Sequence, residues 1–414
     1  MSAGRFNVLT VICGNMISYP DEYLLYGVDN GKMPKEQYGK SITNSKSKGN
    51  EIMKKLSKFL LTHNNFFMML SGGLLSIFLC GCGAKQPVLS QYTDTAMGTV
   101  IRQTLYAQDK GTADAVSDSI MFLLGRMEEQ ELSWRLETSE IYAVNSTAGS
   151  KEGYLMSNEM THVIMECLDL SQKAEGAFDV TIGSVVRLWN IDSWTAGGQE
   201  ETYVLPEREL LRQELNNYGY EKLGMEPETF GENGEIQQAK AFLPAGMQLD
   251  LGAVGKGLAL DRILHTLRNS EISGATISVG GSVLTYGEKP DHTDWKVGIV
   301  NPLDATEYIG ILALKGQWCV STSGDYERYV EVDGIRFHHI IDPATGMPAD
   351  SSVHSVTILA KDGLLSDALS TACFVLGAEK GMELAGQYGA EALFVTTEGE
   401  IVMTEGMRSF FTPS

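Results

Sequence analysis

The stretch YVEVDGIRFHHIIDPATG, residues 329–346, contains the clearest folding signal of this chain. Asp333-Gly334 separates two alternating apolar segments, and a two-residue turn with positive φ at both positions favours this dipeptide. The pattern predicts an antiparallel hairpin in which Tyr329 lies opposite His338. Because successive side chains of a strand point to opposite faces, His338 and His339 cannot both serve one site.

The same alternation predicts which residues share each face of the hairpin. His339 is placed on an inward face with an apolar set: Val330, Val332, Ile335, Phe337 and Ile341. His338 falls on the other face, beside Glu331 and Arg336, as a half-exposed partner of Tyr329. Spacing alone leaves His339 as either a core histidine bonded to a carbonyl or a catalytic base.

Helices and hairpins alternate along the chain without a regular strand–helix–strand period, which favours an α+β fold over a doubly wound sheet. Apolar periodicity and end signals predict helices over residues 112–127, 160–174, 255–268, 366–376 and 380–388. Runs of β-branched and aromatic residues predict strands over residues 99–107, 276–287, 295–302, 352–360 and 391–397. We expect one domain over residues 91–414, preceded by a linker at 83–90.

The N-terminal segment indicates export. A lysine-rich stretch precedes an apolar run, residues 66–80, that is too short for a comfortable permanent membrane span. The run ends in Leu79-Cys80-Gly81-Cys82, which resembles a bacterial lipobox with Cys82 as the lipidated residue. Residues 1–82 are therefore predicted to be a lipoprotein leader, with a natural start at Met53, and an uncleaved anchor is the alternative. We expect a lipid-anchored protein on the extracytoplasmic side of the cell membrane.

Composition excludes some classes of function. The chain of 414 residues has a net charge of -21, which argues against nucleic acid as a ligand and means that a phosphate ligand would need a cation. Beyond the leader, Cys167, Cys319 and Cys373 lie far apart in apolar contexts. Their spacing does not match a zinc site, so we expect buried free thiols.

The segment KDGLLSDALSTACFVLG, residues 361–377, presents hard oxygen donors. Asp367, Ser370 and Thr371 are spaced i, i+3, i+4 and therefore share one face of a predicted helix. Such oxygens suit Mg²⁺, which takes one or two protein carboxylates and completes its shell elsewhere. Capping of the helix N-terminus by Ser366 and Asp367 is the structural alternative.

Two further segments combine glycine with polar groups. QLDLGAVGKGLALDRI, residues 248–263, has Asp250 at a strand end and a glycine-rich turn before a helix that begins near Lys256. Exposed N–H groups and a lysine at a helix start suit a phosphate, although the spacing is not that of a Walker A loop. Ser321-Thr322-Ser323-Gly324 lacks the context of a serine nucleophile and is predicted to be a polar turn.

In their order along the chain, these segments resemble the ApbE family of FAD:protein FMN transferases. The motifs are TAMGT (95–99), LSWRLETSEIYAVN (132–145), GAFDVTIGSVVRLW (176–189), DLGAVGKGLALDR (250–262), SVGGS (278–282), STSGDYERY (321–329), HIIDPATGMP (339–348) and SDALSTACFVLG (366–377). The chain departs from the family pattern at Ser184, where relatives often have proline, and at Asn190-Ile191, where they have a glycine-aromatic pair. The resemblance implies one ApbE-like, tunnelling-fold-like catalytic domain with mixed or antiparallel sheets, flanking helices and a central FAD cleft.

The resemblance also implies Mg²⁺-dependent transfer of FMN from FAD to a Thr or Ser hydroxyl of an acceptor protein, through a phosphodiester bond and with release of AMP. His339 matches the catalytic position, as a base for the acceptor hydroxyl. The positions that match FAD contacts are Met97, Trp134, Ala177, Phe178, Asp179, Asp250, Lys256 and Ile341. Those that match the metal site are Asp367, Ser370, Thr371 and the carbonyl of Ala253.

The implied acceptors carry an S/T-G-A-T-type motif and include subunits of membrane redox complexes and extracellular reductases. Ser273-Gly274-Ala275-Thr276 has similar letters but leads into a predicted strand, so its match to the motif is interpreted as coincidence. Two alternatives to the transferase stay open: an FAD pyrophosphatase that yields FMN and AMP, and a non-catalytic FAD-binding lipoprotein. A solute-binding lipoprotein would need two comparable lobes, for which the sequence has no pattern.

Overall fold

The structure, a computed structural model, describes residues 86–196 and 203–414. Its strands are β1 (Val88–Ala96), β2 (Thr99–Ala107), β3 (Tyr154–Leu155), β4 (Gly224–Phe230), β5 (Ile236–Phe242), β6 (Ile272–Val279), β7 (Ser282–Gly287), β8 (Trp295–Asn301), β9 (Asp304–Leu314), β10 (Trp318–Gly324), β11 (Tyr329–Val332), β12 (Ile335–His338), β13 (Ile341–Asp342), β14 (Met347–Pro348), β15 (Val353–Ala360), β16 (Glu391–Thr396), β17 (Ile401–Met403) and β18 (Phe411–Pro413). Its α-helices are α1 (Lys110–Met127), α2 (Glu140–Ser146), α3 (Asn158–Lys173), α4 (Gly183–Trp189), α5 (Ile191–Ala196), α6 (Arg208–Glu214), α7 (Gly255–Arg268), α8 (Gly363–Leu376) and α9 (Ala378–Gln387).

An antiparallel sheet of eight strands organises the described residues, in the order β1-β2-β6-β7-β10-β15-β16-β17. Two three-stranded sheets, β18-β9-β8 and β3-β5-β4, and the hairpins β11-β12 and β13-β14 accompany it. Antiparallel pairing with helices on one face is an α+β architecture, so the predicted fold class is confirmed.

The large sheet is covered on both faces. Helices α1, α7 and α8 pack on one face, where Ile358 of β15 is fully buried. The next residue, Leu359, points to the other face and packs with Trp295 of the β18-β9-β8 sheet. Full burial of such side chains contributes roughly 1.5–3 kcal/mol each, so the strands in the middle of the sheet are held from both sides.

The predicted hairpin register is confirmed. Tyr329 pairs with His338 and Val332 with Ile335, across a turn in which Asp333 has φ 53° and Gly334 φ 78°. The left-handed backbone at both turn positions is the reason that Asp-Gly marks the turn. Helix α7 and strand β2 also begin and end at the predicted residues.

The prediction of a half-exposed His338 is wrong. Its side chain is 8% exposed, and Nε2 lies 3.0 Å from the carbonyl oxygen of Ala349. Its ring packs edge-on against Phe374 of α8, with centroids 5.4 Å apart. Alternation within the hairpin separates two faces, but it could not show that α8 covers the one that carries His338.

The predicted polar turn at residues 321–324 is also wrong, because these residues lie in β10, inside the large sheet. The hydroxyl of Ser321 is 2.8 Å from that of Ser366, and the hydroxyl of Thr322 is 2.9 Å from that of Thr357. Partners on α8 and β15 therefore satisfy hydroxyls that a local pattern assigns to a turn.

The domain begins earlier than predicted. Strand β1 starts at Val88 and pairs along its length with β2, so residues 88–90 belong to the sheet and not to a linker. The predicted leader, with Met53 and Cys82, lies outside the described residues. Within those residues, no helix has the length and apolar character to cross a membrane. The three predicted thiols are buried and free, as expected.

Candidate active site

Helices α7 and α8 are linked at their N-terminal ends, where a carboxylate of each helix accepts hydrogen bonds from backbone N–H groups of the other. Asp367 of α8 accepts a hydrogen bond at Oδ2 from the backbone N–H of Gly257, at 2.9 Å. Asp261 of α7 accepts hydrogen bonds from the N–H groups of Gly363 and Leu364, at 2.6 and 2.7 Å. N–H groups in a first turn have no partner within their own helix, so each helix supplies an acceptor to the other.

Two glycines allow this close approach. A Cβ atom added to Gly257 would lie 2.1 Å from the carbonyl oxygen of Gly363, and one added to Gly363 would lie 2.3 Å from the carbonyl oxygen of Gly257. Both positions therefore exclude a side chain unless the helices separate. The glycine-rich turn before α7 serves helix packing as well as any ligand.

The capping alternative for Asp367 is wrong. Asp362 caps α8, because its side chain accepts a hydrogen bond from the N–H of Leu365 at 2.8 Å. Ser366 donates its hydroxyl to the carbonyl of Gly363. Asp367 is therefore available for a role outside its own helix.

Asp367 already interacts with a cation. Its carboxylate is 2% exposed, with Oδ1 3.1 Å from Nζ of Lys256 and 3.5 Å from the hydroxyl of Ser282. A buried carboxylate requires such compensation, because burial removes its hydration. The site therefore favours a positive charge at Oδ1, which a lysine or a metal ion can supply.

Hydroxyl groups from two elements surround this carboxylate. Ser323 of β10 places Oγ 2.7 Å from Oγ of Ser370 and 3.5 Å from Oγ1 of Thr371. Ser370 is fully buried and donates to the carbonyl of Asp367, so its hydroxyl is engaged within the protein. Thr371 is half-buried and remains the more accessible donor, and Ala253 belongs to the turn that leads into α7.

The donor chemistry fits Mg²⁺. The described residues contain no group of three His, Cys, Asp or Glu side chains that could hold a metal. An ion at Asp367 would therefore have at most two such side chains, with hydroxyl, carbonyl, water or phosphate oxygens as its remaining ligands. This is the kind of shell that Mg²⁺ accepts.

A cleft of about 190 Å³ opens beside Lys256. Its walls contain four of the predicted FAD-contact residues, Met97, Trp134, Asp250 and Lys256, together with Thr99, Glu128, Leu132, Ser133, Arg135, Leu251, Gly252, Gly255 and Arg328. Sequence positions more than 150 residues apart therefore meet at one opening.

Hydrogen bonds hold two of the predicted contact residues in place. Met97 occupies the turn between β1 and β2 with φ 53°, and its N–H donates to Oε2 of Glu128 at 2.8 Å. Asp250 accepts a hydrogen bond at Oδ1 from the N–H of Gly252, at 2.7 Å. Both residues reach the cleft from turns held in one conformation.

The guanidinium groups of Arg135 and Arg187 stack on the indole ring of Trp134. The Cζ atom of Arg135 lies 3.9 Å from the ring centroid, and that of Arg187 lies 4.2 Å from it. Cation–π contacts of this kind fix the ring and concentrate positive charge at the cleft wall.

Residues Ala177, Phe178 and Asp179 are packed and hydrogen-bonded within the protein. Phe178 is 2% exposed and packs in the core, and Ala177 is partly buried against it. Asp179 accepts hydrogen bonds from the N–H and hydroxyl of Thr181 and from the N–H of Tyr220, while burial raises the pKa of its carboxyl. The side chains of Phe178 and Asp179 are thus committed to the protein, which leaves backbone groups for a ligand.

His339 follows β12 and is half-buried. Its Nδ1 lies 3.2 Å from the carbonyl oxygen of Arg328, whose side chain reaches the cleft. A carbonyl only accepts, so Nδ1 carries the proton and the lone pair of the neutral ring is on Nε2. The predicted neighbour Ile341 is 8% exposed and packs beside Trp189.

Comparison with known proteins identifies the family. A family model described as the ApbE family matches residues 97–394. The FAD:protein FMN transferase of Treponema pallidum is 31% identical over 350 residues, which cover 81% of this chain and 93% of that protein. The FAD:protein FMN transferase of Klebsiella pneumoniae is 33% identical over 325 residues, which cover 78% of this chain and 94% of that protein. The chain belongs to the ApbE family.

Solved ApbE structures share the fold. The ApbE protein of Thermotoga maritima matches with a TM-score of 0.67 and 31% identity, over 78% of this chain and 99% of that chain. The flavin transferase ApbE from Vibrio cholerae matches with a TM-score of 0.65 and 27% identity, over 78% and 99%. The α+β domain described above is therefore an ApbE fold over nearly the whole length of those chains.

Sequence reasoning missed several residues that contact the predicted site residues. Ser282 and Ser323 lie beside Asp367 and Thr371, but no spacing rule connects strands β7 and β10 to α8. Arg187 lies inside the quoted GAFDVTIGSVVRLW motif, but its contact with the indole depends on how α4 packs. A cationic residue within that motif was the available signal.

Proposed function

We propose that this chain is an FAD:protein FMN transferase, which moves FMN from FAD to a Thr or Ser hydroxyl of another protein. The observation that carries the proposal is the buried Asp367, paired with Lys256 beside a cleft that also contains Trp134. A carboxylate with hydroxyls suits a metal, a lysine at a helix start suits a phosphate, and apolar and aromatic side chains in the cleft wall, such as Met97 and Trp134, suit the edge of a flat ring. FAD carries a diphosphate and flat rings in one molecule.

The transfer requires one bond exchange at phosphorus. The acceptor hydroxyl oxygen bonds to the phosphorus that carries the riboflavin unit, and the bond from this phosphorus to the bridging oxygen breaks. The bridging oxygen leaves with AMP, and the hydroxyl proton moves to Nε2 of His339. The chain's own residues bind the diphosphate, orient the acceptor and accept the proton.

Mg²⁺, when bound, would neutralise charge on the phosphoryl oxygens. Asp367 would hold it, with Thr371, Ser370 and the carbonyl of Ala253 as further oxygen donors. In an acidic protein, Lys256 would reduce the repulsion between the protein and the diphosphate, and the bound cation would add to this effect.

The metal role is tested with Asp367→Asn. Asparagine can still accept the hydrogen bond from Gly257, whereas alanine would leave that buried N–H without an acceptor, at a cost of about 1–3 kcal/mol. We expect the variant to fold and to lose Mg²⁺-dependent AMP release, measured across a Mg²⁺ titration and alongside a thermal melt. An unchanged Mg²⁺ dependence would remove Asp367 from the metal site.

The function is tested by incubating the full-length protein with FAD and Mg²⁺, with and without an acceptor that carries an S/T-G-A-T-type motif. AMP release together with an acceptor heavier by one FMN supports the transferase. AMP without the adduct indicates the pyrophosphatase, and FAD binding without AMP indicates a flavin-binding protein. Omitting Mg²⁺ and replacing the acceptor Thr or Ser by alanine are the controls.

We also propose that the protein acts outside the cytoplasm, as a lipoprotein anchored through Cys82. The support is the lysine-rich apolar leader that ends in Leu79-Cys80-Gly81-Cys82. Acceptors would then be proteins with exposed flavinylation motifs on the same side of the membrane, such as subunits of membrane redox complexes or extracellular reductases.

A further inference from the structure

Arg187 presents a donor that the described part of the protein does not use. It lies on α4, and its Nη1 donates to Oε1 of Gln248 at 2.5 Å. The Nε atom is buried and has no hydrogen-bond partner. The guanidinium is held over Trp134, with Cζ 4.2 Å from the ring centroid. Its position is therefore determined while one donor edge remains unoccupied.

A buried, unpaired donor of this kind calls for an explanation. Most buried polar atoms in proteins have a hydrogen-bond partner, because burial removes their hydrogen bonds to water and only a partner in the protein replaces them. Unpaired donors of a charged group are especially unfavourable, and a bound ligand is one way of satisfying them. Arg187 does not itself line the cleft, but it stacks on Trp134, which does. A ligand in the cleft therefore reaches the buried Nε–H edge when the indole moves aside.

The charges nearby indicate what the ligand is. Burial lowers the pKa of Arg187, Asp250 opposes this effect, and the positive charge of Arg135 adds to it. Arg135, Lys256 and Arg328 line the cleft beside Trp134 and outnumber its two carboxylates, Glu128 and Asp250. In a chain with a net charge of -21, this concentration of cations favours an anion with several oxygens.

We infer that Arg187 binds a phosphate of the dinucleotide through its Nε–H edge. The planar guanidinium matches the oxygens of a phosphate better than a single ammonium does. Lys256 holds phosphate from the α7 side, and Arg187 does so from the Trp134 side. The inference rests on the proposed function, because the ligand is the diphosphate of FAD, and it adds a binding residue to that site.

The test is equilibrium binding by the full-length protein in Mg²⁺ without acceptor, so that no transfer is needed. ADP provides the diphosphate without a flavin, riboflavin provides the flavin without phosphate, and FAD provides both. Arg187→Gln removes the charge and the Nε donor, and Arg187→Lys keeps a charge without the planar fork. Arg212→Gln, at an exposed position of α6, is the control that removes one positive charge elsewhere.

We expect Arg187→Gln to weaken the binding of ADP and FAD about ten- to a hundred-fold, which corresponds to the loss of a charge-assisted hydrogen bond. Riboflavin affinity should stay within about two-fold. Arg187→Lys should lie between the parent protein and Arg187→Gln, and Arg212→Gln should match the parent. Thermal melts check that each variant is folded. If Arg187→Gln does not fold, the ADP affinity of Arg187→Lys tests the inference.

Unchanged ADP affinity in the folded variants would overturn the inference. An equal loss of riboflavin affinity would also overturn it, because Arg187 would then act on the flavin ring through Trp134. If the parent protein binds neither FAD nor ADP, the proposed function fails together with the inference. If the parent binds both and the variants do too, only the inference fails.

Discussion

At His339, a single backbone carbonyl determines which ring nitrogen can act as a base. Nδ1 donates to the carbonyl of Arg328, so Nε2 of the neutral ring can accept a proton. We expect His339→Ala to bind FAD normally and to slow transfer by roughly 10²–10⁴, the usual contribution of general acid–base catalysis. Single-turnover formation of the acceptor adduct, followed by intact mass, measures this loss.

The adjacent histidine provides the matched control. His338 is buried against Phe374 and uses Nε2 to bind Ala349, and burial lowers the pKa of its ring. We expect His338→Ala to lower the melting temperature while the folded fraction keeps its transfer rate. Loss of FAD affinity in His339→Ala would instead make His339 a structural residue.

At the scale of elements, helices α7 and α8 approach closely, and we expect activity to depend on this contact because it positions Asp367. We expect Gly257→Ala to lower the free energy of unfolding by at least about 1–3 kcal/mol and to abolish Mg²⁺-dependent AMP release. The reason is that its Cβ would lie 2.1 Å from the carbonyl oxygen of Gly363 and 2.7 Å from Cβ of Asp367. Urea unfolding and an AMP assay measure the two effects.

Gly125→Ala is the control for this substitution. Gly125 lies in α1, and a Cβ added there would meet no atom within 4 Å. Alanine should therefore stabilise the helix by about 0.5–1 kcal/mol and leave activity unchanged. If Gly257→Ala behaved like Gly125→Ala, the close contact between the helices would have no bearing on the site.

The carboxylate that α7 supplies to α8 is sensitive to pH. Burial, and then the charge of Asp362, raise the pKa of Asp261 to about 7, while its hydrogen bonds to Leu364 and Gly363 oppose the shift. Glu166 of α3 adds to the increase, and it faces Asp261 across a cavity of about 370 Å³. The folded protein therefore binds this proton more tightly than the unfolded chain, in which Asp titrates near about 4.

It follows that the contribution of Asp261 to stability is fully present below pH ~4 and is lost as the pH rises through about 7. Asp261→Asn does not titrate and keeps one oxygen acceptor. We expect the parent protein to lose stability relative to this variant between pH 4 and pH 8, measured by urea unfolding. Glu159, His162, Arg262 and Glu166 face the same cavity in both proteins, so the difference isolates Asp261. A difference that does not vary with pH would mean that Asp261 titrates as an ordinary aspartate.

At the scale of the whole molecule, the proposed location depends on one cysteine, Cys82. If Cys82 is lipidated, Cys82→Ser should move the protein from the membrane fraction to the soluble fraction, since no other lipid site is predicted. Cys80→Ser changes a tolerant position of the same motif and should leave the protein in the membrane fraction. Retention of Cys82→Ser in the membrane would support the uncleaved anchor.

Local signals predicted much of the fold. The Asp-Gly turn, the limits of α7 and the alternation in β2 depend on backbone conformation and periodicity within a few residues, which a sequence displays directly. The serines of β10 were assigned wrongly because β-propensity depends on neighbouring strands and helices, here β15 and α8. The burial of His338 was missed for the same reason.

The sequence by itself determined the fold class, the hairpin register, the burial of three cysteines and membership of the ApbE family, because each depends on local pattern or on ordered motifs. Only the tertiary structure decided that Asp367 and Asp261 link two helix N-termini, that Lys256 neutralises Asp367, and that Arg187 stacks on Trp134. These contacts join residues about 50 to 110 positions apart along the chain. These contacts form only when the sheet and the helices pack together, and the local sequence pattern does not encode that packing.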